Sequence, residues 1–250
     1  MRLDDDHFVR AQYASTGKLE TRISVWQPDA DGRSPQDVAL AALAEVRPAR
    51  LLEVGCGTGV LAARLEAELG CEVIALDSSE EMVAATRERG IEAVVGDVQR
   101  LPFGDATFDA AIAAWMLYHV PDRDRAISEL ARVLRPGGRL VAITTGRDHL
   151  AELWRLVDAQ KYESSFSREN GRAQLGRHFE RVECHDVRSR AVFADRATAA
   201  SYLATLERGA LAERLPEFGK PLEARGSLAV FVASAPRAQP VASQAGSIRP

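Results

Sequence analysis

The sequence predicts an α/β protein built on a mostly parallel sheet with helices on both faces, and three observations carry that prediction. An apolar run, Leu51-Leu52-Glu53-Val54, feeds a glycine turn, Gly55-Cys56-Gly57-Thr58-Gly59, and then a segment with helical spacing. A second run, Glu72-Val73-Ile74-Ala75-Leu76, ends on the carboxylate of Asp77. Further apolar runs then alternate with helical patterns, and right-handed crossovers turn such an alternation into a parallel sheet.

Taken in order, residues 1–48 read as an N-terminal helical arm or lid. One helix is expected around Asp6 to Tyr13 and another from Pro35 to Val46, joined by a polar loop holding Pro28, Asp29, Asp31 and Gly32. The first strand of the main domain, 49–234, falls at 50–54. Its turn suits a bound ligand: Gly55 permits the tight exit, Gly57 lets backbone approach with no Cβ in the way, and Gly59 lets the next helix pack closely. That helix runs from Val60 to Leu69, with Leu61, Ala62, Leu65 and Leu69 on one face and Gly70 as its stop. Strands follow near 72–76, 92–95, 108–114 and 139–145. Arg125 to Leu134 carries apolar residues at Ala126, Ile127, Leu130, Val133 and Leu134, a core-facing helix.

Helices are expected at His149 to Lys161 and Arg172 to Phe179, and the last two strands at Val182 to Arg190 and Leu228 to Ser234. Between those strands, at about 191–225, Arg196 to Glu207 and the stretch to Lys220 read as a helical cap over the strand ends, where open α/β sheets bind ligands. From Ala235 the composition shifts to Pro, Ala, Gln and Ser, the pattern of a disordered tail.

Asp77 follows Gly55 by about twenty positions, where an acid in a Rossmann-type site accepts from ribose hydroxyls. The glycine spacing departs from the G-x-G-x-x-G of a dinucleotide enzyme, because the third glycine is Gly59 and position 60 is Val60. Glu53 to Gly59, as E-x-G-x-G-x-G, resembles the first motif of the class I S-adenosylmethionine-dependent methyltransferases. Later signposts of that family follow in order: Gly96-Asp97-Val98 with Leu101-Pro102-Phe103, then Phe108 to Ala114, then Leu134-Arg135-Pro136-Gly137-Gly138-Arg139-Leu140. The resemblance covers roughly Arg50 to Thr145. It implies a Rossmann-like seven-stranded sheet with its last strand antiparallel, S-adenosylmethionine as cofactor, and methyl transfer to oxygen, nitrogen or carbon of a small molecule.

The resemblance also implies residue roles. Glu53 meets the methionine ammonium, directly or through water, and Gly55, Gly57 and Gly59 present backbone to the cofactor. Asp77 takes the ribose hydroxyls, since a carboxylate accepts two donors at once. Ser78 is read as the N-cap of the helix holding Glu80 and Glu81, with a ribose contact as a second role. Met82 either packs on the adenine or belongs to the core. Asp97 accepts from the adenine amino group and the Val98 amide donates to the ring, while Ala113 and Ala114 leave room for the methionine arm. In the arm, Tyr13 and Arg22 resemble a pattern that folds over the cofactor, with Arg22 pairing the methionine carboxylate or lying solvated on a helix. For catalysis, His119 is read as a general base or as a residue that shapes the site, and Tyr118 as orienting the acceptor or packing.

Absences narrow the acceptor. Ala113-Ala114-Trp115 stands where metal-dependent catechol-type relatives carry an acid, so no metal is implied, and the N/D-P-P-Y/F signature of amino-group enzymes is missing. Trp115, Met116, Tyr118 and Trp154 suit a small, partly apolar acceptor. A net charge of −4 over 250 residues gives no general basic excess, which disfavours a long nucleic-acid partner and leaves room for a local patch. Three cysteines, Cys56, Cys71 and Cys184, show no metal-ligand spacing and suggest reduced thiols. No apolar run is long enough for a bilayer, so a cytoplasmic monomer or homodimer is expected. Two other readings remain open: alkyl transfer or cyclisation on the same cofactor, releasing methylthioadenosine, and noncatalytic cofactor binding.

Overall fold

The computed structural model describes residues 16–28, 32–159, 164–206 and 208–237. The expected helix at Asp6 to Tyr13, Asp29, Asp31 and the tail beyond 237 lie outside them. Eight strands form one sheet: β1 Trp26–Pro28, β2 Arg50–Val54, β3 Glu72–Asp77, β4 Glu92–Val95, β5 Phe108–Ala114, β6 Leu134–Thr145, β7 Phe179–Phe193 and β8 Leu222–Pro236. Their order is β1-β7-β8-β6-β5-β2-β3-β4. β2 to β6 are mutually parallel, and β8 lies antiparallel between β6 and β7. The strand beyond the expected seven is β1, three residues long, which pairs antiparallel with β7 at the sheet edge. Pro28 ends it, and an edge strand tolerates the missing donor.

The central strands are apolar along their whole length because both faces are covered. On one face Leu52, Val54, Ile74 and Leu76 pack with Ile127 and Leu130 of α5 (Arg123–Val133). On the other, Leu51, Val73 and Ala75 pack with Leu43 of α2 (Pro35–Ala44) and with Ala62 and Leu65 of α3 (Val60–Leu69). Neighbouring strand residues thus divide between two cores. α2 starts in a capping box: Ser34 Oγ accepts from the Asp37 amide at 3.1 Å and Asp37 Oδ2 from the Ser34 amide at 2.8 Å.

A third apolar cluster belongs to the cap. Leu153 and Trp154 of α6 (Ala151–Leu156) pack with Tyr202 and Leu203 of α8 (Arg196–Thr205), and with Phe193 and Leu215. α1 (Thr16–Ser24) adjoins α8. The sequence reads α1 as loop, since most of its residues are polar and Leu19 and Ile23 alone are too short a stripe to mark a helix. α6 and α8 follow β6 and β7, so the cap stands at the carboxyl ends of the parallel strands. The β7–β8 connection spans 194–221, and the flanks of the 191–225 expectation are strand.

Several boundaries differ from expectation: β6 opens at Leu134, expected as the end of the preceding helix, and β8 opens at Leu222. The helix sought at His149 to Lys161 is confined to α6, with Leu150 left-handed (φ +59°) ahead of it; residues 160–163 lie outside the described set. The helix sought at Arg172 to Phe179 is α7, Gly171–Leu175. Phe179 is fully buried and opens β7 opposite Pro236, which also draws Ala235 and Pro236 out of the expected tail into β8. Helical spacing is a weak guide where long-range pairing captures the residue.

The base of β5 is tied to β2 by one carboxylate. Asp109 Oδ2 accepts from the amides of Ala49 and Arg50, both at 2.9 Å, and Oδ1 takes the Arg135 guanidinium. Asp109→Ala is expected to cost about 2 kcal/mol by stranding these donors, read as a lower urea midpoint at unchanged m-value; no shift would show that water replaces the carboxylate freely.

Candidate functional site

The chain reverses direction along the sheet at β2, with β3 on one side and β5 on the other, and the crevice at such a switch point is where α/β sheets bind ligands. The glycine turn leaves β2 there. Its Gly55 amide donates to the Leu76 carbonyl at 2.7 Å, which fastens the turn to the end of β3. Gly55 has φ +69°, and a Cβ on it would stand 2.7 Å from Met116 Cβ. The turn therefore touches the loop after β5, which carries Tyr118 and His119. Gly59, at φ +73°, opens α3 against Thr86 of α4 (Glu80–Glu88), whose hydroxyl donates to the Gly57 carbonyl at 3.0 Å.

Asp77 is held by backbone. Its Oδ2 accepts from the Gly57 amide at 3.0 Å and its Oδ1 from the Ser79 amide at 2.9 Å. Burial pushes this carboxyl up, and the amides of Ser79, Gly57 and Ser78 oppose that. Two oxygens offer about four acceptor positions, so acceptor capacity remains for hydroxyl donors. The Asp77–Ser79 bond is an Asx turn that takes up one more residue before α4 begins. Consequently Ser79, and not Ser78, caps the helix, its hydroxyl accepting from the Met82 amide at 3.4 Å.

Glu53 is 2% exposed, and its Oε2 is buried with no hydrogen-bond partner. Burial, and then the neighbouring Asp77 charge, push its carboxyl up to about 8. Such an acid is neutral near pH 7 until a cation arrives to pair with it. Cys56 in the same turn is pushed up to about 12, chiefly by burial, so its thiol is no nucleophile.

The remaining predicted positions divide. Asp97 caps the short turn Val98–Arg100, accepting from the Gln99 amide at 2.8 Å and from Gln99 Nε2 at 3.0 Å on each oxygen. Gln99, which sequence reasoning passed over, also accepts from the Asp122 amide at 3.0 Å, tying this loop to the start of α5; its offset of two from Asp97 is the Asx-turn spacing that signals it. Met82 is 1% exposed and Val98 5%, so both side chains are buried. Ala114 is half-buried at the end of β5, and the chain breaks sharply after it at Trp115, φ +54°. Tyr118 and His119 sit on the turn Leu117–His119 with ring centroids 4.5 Å apart, edge to face. Ser165 donates to the Tyr118 carbonyl at 3.0 Å. Arg22 lies on α1, its Nε reaching the Lys18 carbonyl at 3.4 Å, and Tyr13 lies outside the described residues.

Fold and crevice together define a Rossmann-like protein with two acids, Glu53 and Asp77, at the switch point of its sheet. Residues 52–142 match the methyltransferase domain family. The chain is 40% identical over 129 residues to a malonyl-[acyl-carrier protein] O-methyltransferase of Methylococcus capsulatus, covering 48% of this chain and 47% of that protein. It is 44% identical over 92 residues to a demethylmenaquinone methyltransferase of a Mycobacterium species, covering 37% and 40%. The chain spans about half the length of the curated relatives it matches. Among solved structures, the YcgJ protein of Bacillus subtilis superposes with a TM-score of 0.59 at 19% identity, over 82% of this chain and 99% of that one, which shows the fold. Over residues 52–142 the chain is similar to S-adenosylmethionine-dependent methyltransferases, and it shares their fold.

Proposed function

We propose that this protein binds S-adenosylmethionine in the crevice between β2, β3 and β5 and transfers its methyl group to a small-molecule acceptor without a metal ion. The observation that carries the reading is the unpartnered, buried Oε2 of Glu53 beside a backbone-pinned Asp77. Bound cofactor supplies a methyl group on a sulfonium whose leaving group is a neutral thioether. The chain's own residues then have positioning work. Glu53 receives the ammonium, Asp77 the ribose hydroxyls, and Asp97 with the Val98 amide the adenine edge. Gly55, Gly57 and Gly59 keep side chains out of the cofactor's path. Arg22 of the arm pairs the methionine carboxylate and Ser78 flanks the ribose, while the buried Met82 stays in the core. Ala114 leaves the space through which the acceptor meets the methyl group, and Ala113-Ala114-Trp115 offers no carboxylate to a metal.

His119 acts as general base, and Tyr118 orients the acceptor. Alignment of nucleophile and leaving group supplies most of the acceleration, with proton removal the smaller part. His119→Gln is expected to lower kcat about 100-fold with cofactor affinity unchanged; an unchanged kcat with a raised KM would instead make His119 a shaping residue. The reading itself is tested by incubating the protein with S-adenosylmethionine and a small-metabolite extract, following products by mass spectrometry. S-adenosylhomocysteine with a product heavier by one methylene is expected. Methylthioadenosine without methylation would overturn methyl transfer.

A further inference from the structure

Beside the crevice, at the carboxyl end of β6, the sheet face carries a second hollow. β6 leaves the sheet at Gly146, whose amide donates to the Ser227 carbonyl of β8 at 2.8 Å. There a cleft of about 480 Å³ opens, walled by Arg147, Arg168, Arg188 and Arg225. An adjoining hollow shares Arg168 and adds Arg172 of α7. Register explains the grouping. Arg188 pairs with Ser227 and Arg190 with Arg225, so Arg188 and Arg225 project from one face on diagonal positions, roughly 7 Å apart and within reach of one ligand.

The carboxylates in the cleft are already engaged. Asp186 takes Arg168 through two bonds of 2.6 Å. Glu169 accepts from the Arg147 amide at 3.1 Å, and Asp148 accepts from Ser227, whose hydroxyl holds it below the ordinary carboxylate range. By contrast, the guanidinium groups of Arg147, Arg172, Arg188 and Arg225 make no hydrogen bond or ion pair with the described residues. Five arginines against three carboxylates leave an excess of two positive charges. That is the charge of a phosphomonoester near neutral pH, whose oxygens also match guanidinium forks. One carboxylate would balance only half of it. The concentration is local, because the whole chain carries −4.

We propose that this arginine cleft binds a phosphomonoester group of the methyl acceptor. The link to the acceptor rests on the methyltransferase reading, and its structural basis is the segment 164–170. That segment is fastened to Tyr118 through the Ser165 hydroxyl, at 3.0 Å, and it carries Arg168 into the cleft wall. An acceptor held by its phosphate in the cleft therefore extends toward the loop that bears Tyr118 and His119.

Titration calorimetry at low ionic strength, with phenyl phosphate and phenylacetate as probes, tests the site on the wild-type protein and on the double variant Arg188→Gln/Arg225→Gln. Both changes lie on exposed side chains, so an unchanged melting temperature is expected. Phenyl phosphate is expected to bind the wild type at least 10-fold more tightly than phenylacetate does, and to weaken at least 10-fold in the variant. Absence of phenyl phosphate binding, equal binding to both proteins, or equal affinity for the two probes each overturns the proposal. S-adenosylhomocysteine, titrated in parallel, separates the two readings. Binding of it without phenyl phosphate removes the cleft and leaves the proposed function, whereas phenyl phosphate binding without it does the reverse.

Discussion

Replacing Glu53 with glutamine is expected to stabilise the cofactor-free protein while weakening S-adenosylmethionine binding by at least 100-fold. The carboxyl titrates near 4.5 when solvated and near 8 in the fold, because burial, and then Asp77, disfavour its charge. A folded value above the unfolded one means that its stabilising contribution is whole below about pH 4.5 and is lost as pH rises through about 8. The wild type therefore forfeits on the order of 4 kcal/mol by pH 8, whereas the amide, isosteric with the neutral acid, forfeits none. In a protein of this size that is a melting temperature higher by about 10 °C at pH 8, shrinking toward zero near pH 4.5. Cofactor binding runs the opposite way. Pairing with the ammonium requires the ionised acid, so the wild type releases a proton on binding and its affinity rises with pH up to about 8. Calorimetry in two buffers of different ionisation enthalpy reads that proton. A variant less stable than wild type at pH 8, or binding without proton release, would show that Glu53 is ionised before the cofactor arrives.

Gly59→Ala is expected to lose both the fold's stability and the site. Alanine at φ +73° costs about 1 kcal/mol on its own. Its Cβ would also lie 2.8 Å from both Cγ2 and Oγ1 of Thr86 and 2.9 Å from the Thr86 Cα, so side-chain rotation alone cannot clear it. α3 and α4 must part, and a total near 4 kcal/mol follows from strain and overpacking together. The same movement breaks the Thr86 to Gly57 bond and the loop geometry at Asp77. Adding Thr86→Ala removes the two side-chain contacts but leaves the backbone one, so the double variant is expected to recover about half of the stability and little of the cofactor affinity. Full recovery of both would locate the clash in the threonine side chain alone.

The legible parts of this molecule are those where one short segment settles both shape and chemistry. Val60 to Leu69 forms a helix with the bounds its apolar spacing and Gly70 imply. β2 to β5 follow their apolar runs because both faces are buried. Glu53 and Asp77 were found from the glycine turn and the strand end, and the structure brings both to one crevice. The misread parts depend on partners distant in sequence. β1 exists because β7 offers it an edge, and Phe179 is strand because Pro236 lies opposite. The Ser78 assignment missed by one residue because Asp77 spends a bond on the corner before the helix. The arginine cleft gives no sequence signal at all, since Arg147, Arg188 and Arg225 come from three separate elements.

The cap has an apolar cluster of its own, distinct from the two that clasp the sheet. Its consequence is evolutionary. Under the proposed function, substitutions at Trp154, Tyr202 or Leu215 would be absorbed within that cluster, leaving Glu53, Asp77 and the glycine turn, which lie outside it, in place.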